Sequence, residues 1–114
     1  PEDRSPTAKM KEAAAQIRLR SSETIEWNAL AFSFGLSASH FRRCFRSVNG
    51  VSPRTLHQTV KMHRAAEMLV YSRRSITDIA RVFGYTTVHN FSRAFSKLYG
   101  VGPRRYRRGG ETAS

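Results

Sequence analysis

The chain has 114 residues, with 20 Lys and Arg against 8 Asp and Glu, which gives a formal net charge of +12. This length allows one ordinary domain or two very small lobes, and the charge favours a polyanionic partner, either nucleic acid or an anionic membrane surface. The single cysteine, Cys44, excludes an internal disulfide framework and is typical of a reducing cytosol. No apolar run is long enough to span a membrane.

The first predicted element is an amphipathic helix from Thr7 to about Arg20. Ser5 or Thr7 is its expected N-cap, and residues 1–6 are expected to form a flexible end. The apolar residues that recur at helical spacing are Met10, Ala13, Ala14 and Ile17.

A short helix followed by a longer one is predicted next. The short helix covers 27–34 and ends at Gly35, and Ser37 caps the longer helix over 38–49. One face of the longer helix is apolar and is expected to be buried: Phe41, Cys44, Phe45 and Val48. The opposite face is polar and basic: Ser39, Arg42, Arg43 and Arg46. Cys44 is expected to be ordinary core packing.

The long stretch 53–71 reads as one helix, with Pro53 in its first turn and Ser52 as its cap. It has apolar residues on two sides. One side carries Leu56, Val60 and Val70, and the other carries Met62, Ala65, Met68 and Leu69. This pattern predicts a helix packed between two bodies.

The short-helix and long-helix pattern then returns. Ser75 is expected to cap a helix over 76–83 that ends at Gly84, and Thr86 to cap a helix over 87–99. The predicted buried stripe is Phe91, Ala94, Phe95 and Leu98. Residues 104–108 are expected to form a last short turn and residues 109–114 a flexible end.

The two copies can be matched residue by residue. Ala31 and Gly35 match positions 49 residues later, and the motif from Phe41 to Pro53 matches positions 50 residues later. The second copy therefore has one more residue in its turn. A short helix, a turn with Gly and a helix with a basic outer face form a helix-turn-helix unit, which binds nucleic acid through its second helix. The sequence predicts two such units.

The outer faces of the two second helices supply the predicted DNA-binding residues. In the first helix they are Ser39, His40, Arg42, Arg43 and Arg46; in the second they are Val88, His89, Asn90, Ser92, Arg93 and Lys97. Arginine suits bidentate contact with guanine, and Val88 suits a thymine methyl group. Two alternatives stay open: His40 packs against the turn, and Val88 closes the turn as a partly buried side chain. Lys97 and the arginines of 104–108 are either phosphate contacts or solubilising charge.

Catalytic, cofactor and metal sites are not predicted. His57 and His63 do not share a helix face, and no carboxylate pair, nucleophile with a base or phosphate-cradling glycine loop is present. We therefore expect no enzyme activity.

The second copy, SITDIARVFGYTTVHNFSRAFSKLYGVGPRRYR, follows I-x-x-I-A, then G-[FY], F-x-R-x-F and G-x-x-P-x-x-[YF]-R. In these motifs the chain resembles the DNA-binding domain of the AraC/XylS-type bacterial transcription regulators. The resemblance implies an all-α fold of about seven helices, with two homeodomain-like three-helix lobes joined by a long central helix. The implied domain is 7–108, with lobes at about 7–52 and 72–108 and a linker helix at 53–71.

The resemblance also implies a function. Such a domain binds double-stranded DNA with sequence specificity and places its two recognition helices in successive major grooves. It implies cytoplasmic, nucleoid-associated localisation, an N-terminal effector or dimerisation domain that is missing from this chain, and RNA polymerase as a second partner to consider. The alternative is a basic protein-interaction module that contacts RNA polymerase or an acidic protein and binds DNA weakly.

Four positions depart from the family pattern, and one of them is Val88, which makes the contact at that position apolar. Glu26 stands where Ser or Thr would cap the first short helix, and Phe32 stands where the second copy has Arg81. Gly102 replaces the usual Ser or Thr before Pro103. The first lobe is therefore the less certain reader of bases.

Overall fold

The computed structural model describes the backbone of residues 5–112 and the side chains of residues 5–109. In that part of the chain there are seven α-helices and no strand, which confirms the predicted all-α fold. In chain order the helices are α1 (Pro6–Leu19), α2 (Trp27–Ser33), α3 (Ala38–Asn49), α4 (Pro53–Tyr71), α5 (Ile76–Val82), α6 (Val88–Tyr99) and α7 (Pro103–Thr112). None of these helices is long and apolar enough to cross a membrane.

The chain divides into two compact units, and the division falls inside α4. Unit 1 ends at Gln58, and unit 2 begins at Thr59. The stretch 53–71 is one continuous helix, as predicted. Its first turns belong to unit 1 and its remaining turns to unit 2.

Unit 1 has a small core made by α1, α2 and α3. Its buried residues are Met10, Ala13, Ala14, Ile17, Ile25, Leu30, Ala31, Phe41 and Phe45. Trp27 and Leu56 pack against this core from the side. Asn49 at the end of α3 donates hydrogen bonds from Nδ2 to the carbonyl oxygens of Met10 and Phe45, each at 3.2 Å, and so joins α3 to α1.

Unit 2 has an equivalent core in which α4 takes the place of α1. Its buried residues are Met62, Ala65, Ala66, Leu69, Ile79, Ala80, Phe83, Phe91 and Phe95. The first four repeat the spacing of Met10, Ala13, Ala14 and Ile17 at positions 52 residues later. The duplication therefore includes the first helix of each unit, which lies outside the matched sequence motifs.

Two predicted apolar stripes are only partly right. Val70 is 38% exposed and Leu98 is 46% exposed. In α4, Leu56 packs against the core of unit 1, whereas the residues that are buried from Met62 onward belong to the core of unit 2. A second apolar stripe therefore does not run along the whole helix. In α6 the Tyr99 ring stacks on Phe95 with centroids 4.6 Å apart, and Leu98 lies outside this packing.

The predicted ends of the fold are also corrected. Ser5 caps α1 by accepting a hydrogen bond from the N–H of Ala8, and Pro6 is the first helical residue, so 5–6 are part of the fold. The predicted short turn at 104–108 is a ten-residue helix that continues through Thr112. Residues 109–112 are therefore helical rather than a flexible end. Residues 1–4 and 113–114 lie outside the described part of the chain.

Candidate nucleic-acid interface

The first helix-turn-helix is formed by α2 and α3. Its turn requires a left-handed backbone at Gly35, where φ is +74°, a region that glycine enters without steric cost. The N–H of Leu36 donates to the carbonyl oxygen of Ala31 at 3.1 Å and closes the turn. Ser37 then caps α3, because its Oγ accepts a hydrogen bond from the N–H of His40 at 3.2 Å. These contacts fix where the outer face of α3 begins.

The second helix-turn-helix, formed by α5 and α6, repeats these contacts. Gly84 has φ +83°, and the N–H of Tyr85 donates to the carbonyl oxygen of Ala80 at 3.0 Å. The cap of α6 is Thr87, whose Oγ1 accepts from the N–H of Asn90 at 3.1 Å. The prediction of Thr86 as the cap is wrong by one residue. The equivalent turn bonds confirm the repeat and its one-residue insertion.

All five predicted DNA-binding residues of α3 have exposed side chains: Ser39, His40, Arg42, Arg43 and Arg46. On this face, the Nη2 of Arg42 lies 3.5 Å from the Oγ of Ser39. His40 is accessible to a partner. The structure therefore brings the predicted residues together on one accessible helix face.

The predicted residues of α6 differ in exposure. His89, Asn90, Arg93 and Lys97 are exposed, whereas Val88 and Ser92 are half-buried. Val88 is therefore partly buried, and part of its side chain stays accessible. The six side chains share the outer side of one helix, whose inner side is held by Phe91 and Phe95.

The positive charge of these faces is not neutralised by neighbouring side chains. Among residues 5–109, the ion pairs are Arg20 with Glu23 at 3.5 Å and Arg64 with Glu67 at 3.9 Å, and neither involves α3 or α6. An uncompensated row of cations on an exposed helix face attracts the phosphates of nucleic acid.

One arginine of the predicted phosphate set has a structural role instead. Arg107 is half-buried, and its guanidinium donates to the carbonyl oxygens of Leu69 at 2.9 Å, Ser72 at 3.4 Å and Arg74 at 2.7 Å. These carbonyls lie at the end of α4 and just beyond it, where a helix leaves backbone oxygens without helical partners. Arg107 therefore holds α7 to the end of α4.

Sequence reasoning also missed His57. This residue is only 5% exposed, and its Nε2–H donates to the carbonyl oxygen of Arg20 at 2.9 Å. Its ring meets Trp27 edge-on with centroids 5.7 Å apart. The signal that could have found it is its alignment with Arg107, 50 residues later.

Comparison with known proteins identifies the family. The sequence pattern of a family described as a helix-turn-helix domain matches residues 30–109. The chain belongs to the AraC/XylS-type helix-turn-helix family. The matched range begins in α2 and ends in α7, so it covers the second helix-turn-helix unit of this AraC/XylS-type domain and most of the first.

The chain is also similar in sequence to two transcription regulators. The chain is 35% identical over 86 residues to the HTH-type transcriptional regulator ExsA of Pseudomonas aeruginosa, covering 74% of this chain and 31% of that protein. It is 30% identical over 87 residues to the HTH-type transcriptional activator RhaS of Escherichia coli, covering 76% of this chain and 31% of that protein. The chain therefore spans about 31% of the length of these relatives.

Solved structures share the fold. The C-terminal domain of AraT, a response regulator from Geobacillus stearothermophilus, is 31% identical, with a TM-score of 0.80 over 89% of this chain and 84% of that one. The DNA-binding domain of AdpA, solved in complex with a target DNA, is 24% identical, with a TM-score of 0.83 over 91% of this chain and 94% of that one. The similarity to the AdpA domain shows that this chain has the same fold.

A metal site is not formed by the described residues, because no three of their His, Cys, Asp or Glu side chains are grouped closely enough. Cys44 is half-buried and packs beside the core of unit 1.

Proposed function

We propose that this chain is the sequence-specific, double-stranded DNA-binding domain of a bacterial transcription regulator. Each unit would insert its recognition helix, α3 in unit 1 and α6 in unit 2, into a major groove. The observation that carries the proposal is the pair of helix-turn-helix units, each with exposed polar and basic residues on the outer face of its second helix. A relative in fold, the AdpA domain, was solved with a target DNA.

Affinity and specificity would come from different contacts. Each phosphate neutralised by Lys or Arg releases condensed counterions, which supplies sequence-independent affinity that falls with salt. Base reading requires side chains that reach the groove edges. Arg43 and Arg93 occupy equivalent places in the repeat and suit guanine, whereas Asn90 suits adenine.

The two recognition helices would read different sequences. Arg42 and Arg46 of α3 correspond to Ser92 and Ser96 of α6, so two arginines in unit 1 are replaced by hydroxyl side chains in unit 2. A single chain with two different readers has no need of a palindromic site, unlike a symmetric dimer. We therefore expect two half-sites of unrelated sequence.

The same proposal extends to the whole regulator and its other partners. The relatives are transcriptional regulators, and we infer that this chain acts as a non-enzymatic regulator on the DNA of the cytoplasm. Residues 7–108 would form the DNA-binding domain, attached to an N-terminal effector or dimerisation domain. RNA polymerase would be the second partner, contacted once the domain is on DNA.

The test is a selection of bound sites from a random double-stranded DNA library. We expect two separated boxes about ten base pairs apart, which is the spacing of successive major grooves on one face of the duplex. One short box would mean that only one unit reads bases. If no sequence is enriched and only polymerase or another protein is retained, the chain is an interaction module and the proposal is wrong.

A further inference from the structure

Each unit has a surface groove built from the same repeat positions, but the two grooves differ in size. The groove of unit 2 lies between the start of α5, the outer side of α6 and α7, and has a volume of about 990 Å³. The groove of unit 1 has a volume of about 190 Å³. Ile76, Pro103 and Arg104 line the larger groove at the positions where Trp27, Pro53 and Arg54 line the smaller one.

Trp27 is the bulkiest residue that lines the groove of unit 1. The indole is half-buried, and the ring of His57 meets it edge-on. The guanidinium carbon of Arg54 lies 6.0 Å from the centre of the indole ring, within the range of a cation–π contact. Arg54 is therefore held over Trp27. In unit 2 the smaller Ile76 leaves the groove open.

The basic side chains are also placed differently in the two units. Arg104 and Arg105 of α7 line the groove of unit 2, whereas the groove of unit 1 is lined by Arg54 of α4, the counterpart of Arg104, and by Arg42 of α3. The position that corresponds to Arg105 in unit 1 is Thr55. Among residues 5–109, no carboxylate lies within ion-pair distance of Arg104 or Arg105, and both side chains are exposed.

We propose that the open groove of unit 2 binds the sugar–phosphate backbone of DNA next to the major groove that α6 enters. Arg104 and Arg105 would contact the phosphates. This inference rests on the proposed function and adds a second contact surface to it. Val88 and Ser92 of the predicted reading face line the same groove, so a duplex that meets α6 reaches the arginines of α7.

The two units would then have different roles. Unit 2 would hold any duplex through α7, separately from base reading by α6. The groove of unit 1 is smaller, and one of its two arginines, Arg42, belongs to the reading face of α3, so the arginines of α3 would serve both for phosphate contact and for base reading.

The experiment is a salt titration of DNA binding with the variant R104Q/R105Q. Each lost phosphate contact lowers the slope of log affinity against log salt by about 0.9, so we expect the slope to flatten by about 1.8. The flattening should be equal for the selected site and for random DNA. The variant R104K/R105K retains both charges and should restore the steep slope.

The control is R64Q/R73Q, which removes two exposed cations of unit 2 that do not line the groove; Arg64 is paired with Glu67 at 3.9 Å, whereas Arg73 has no carboxylate partner among residues 5–109. This control should flatten the slope by less than half as much. Equal flattening by the two double variants, or no flattening by R104Q/R105Q, would overturn the inference. A wild-type chain that shows no sequence preference would instead contradict the proposed function, so the two failures are distinguishable.

A second measurement locates the contact on the DNA. Neutral methylphosphonate groups replace single phosphates beside the half-site read by unit 2. We expect one or two of these replacements to weaken binding by the wild type and by R64Q/R73Q but not by R104Q/R105Q. If the variant is as sensitive as the wild type at every phosphate, Arg104 and Arg105 do not contact the backbone there.

Discussion

His57 and Arg107 occupy equivalent places in the two units and anchor their helices in the same way. His57 of α4 donates to the carbonyl oxygen of Arg20, which follows α1, at 2.9 Å. Arg107 of α7 donates to the carbonyl oxygen of Ser72, which follows α4, at 3.4 Å. Ser72 is the repeat partner of Arg20, 52 residues later. The equivalent hydrogen bond to a backbone carbonyl is thus made by a histidine in unit 1 and by an arginine in unit 2.

Removal of the His57 anchor should destabilise unit 1. His57→Ala removes a donor to Arg20 and a buried ring packed on Trp27, so we expect a loss of about 1–3 kcal/mol in the free energy of unfolding. Urea denaturation followed by the fluorescence of Trp27 measures it. His63→Ala is the control, because His63 is exposed and should cost less than about 1 kcal/mol. Equal losses would mean that His57 does not anchor the helix.

Removal of the Arg107 anchor should destabilise unit 2. Arg107→Ala leaves the carbonyl oxygens of Leu69 and Arg74 without their donor, which should cost about 1–3 kcal/mol of unfolding free energy. Arg107→Lys should recover only part of this loss, since an ammonium lacks the planar fork that reaches several oxygens at once.

The control for Arg107 is the exposed Arg105. Arg105→Ala should change the unfolding free energy by no more than about 0.5 kcal/mol, measured by circular dichroism during thermal unfolding. A loss for Arg105→Ala as large as that for Arg107→Ala would contradict the assigned roles.

Much of the fold could be predicted because local physics determines it. Glycines with positive φ at 35 and 84 mark the turns, and apolar residues at helical spacing mark the inner face of each recognition helix. The all-α fold, the two helix-turn-helix units and the family were therefore predicted correctly.

Other features could not be predicted from local patterns. Thr86 and Thr87 are both suitable N-caps, so the sequence alone does not decide between them. Arg107 lies in a run of arginines, and only its distance to backbone carbonyls separates it from its solvated neighbours. The continuation of α7 past Gly109 has no sequence signal, because glycine disfavours helix interiors. These features depend on tertiary contacts.

Arg93 should contribute to base reading in one half-site only. Arg93→Ala should cost about 1–3 kcal/mol on the selected site and relax the sequence preference of the half-site read by unit 2. Lys97→Ala is the control, because a phosphate contact should weaken selected and random DNA alike. Competition binding with both DNAs measures the two effects. If Arg93→Ala weakens both DNAs equally, Arg93 contacts the backbone and does not read bases.

Gly102 should be a position where a single substitution stabilises the protein. In unit 1 the equivalent Ser52 caps α4, because its Oγ accepts from the N–H of Thr55 at 3.2 Å. A Cβ at Gly102 would meet only the Oγ of Ser96 at 3.9 Å, which is an ordinary contact, and φ there is not positive. Gly102→Ser can therefore cap α7 and also restricts the unfolded chain.

We expect Gly102→Ser to raise the unfolding free energy by about 0.5–1 kcal/mol, measured as an increase in thermal midpoint. The reciprocal variant Ser52→Gly should lower it, because it removes the same cap from α4. Gly84→Ala is the contrasting control, since φ is +83° at that turn and a side chain there should cost about 1 kcal/mol. If Gly102→Ser destabilises the protein as Gly84→Ala does, the start of α7 does not have the geometry of the start of α4, and the repeat does not extend to this cap.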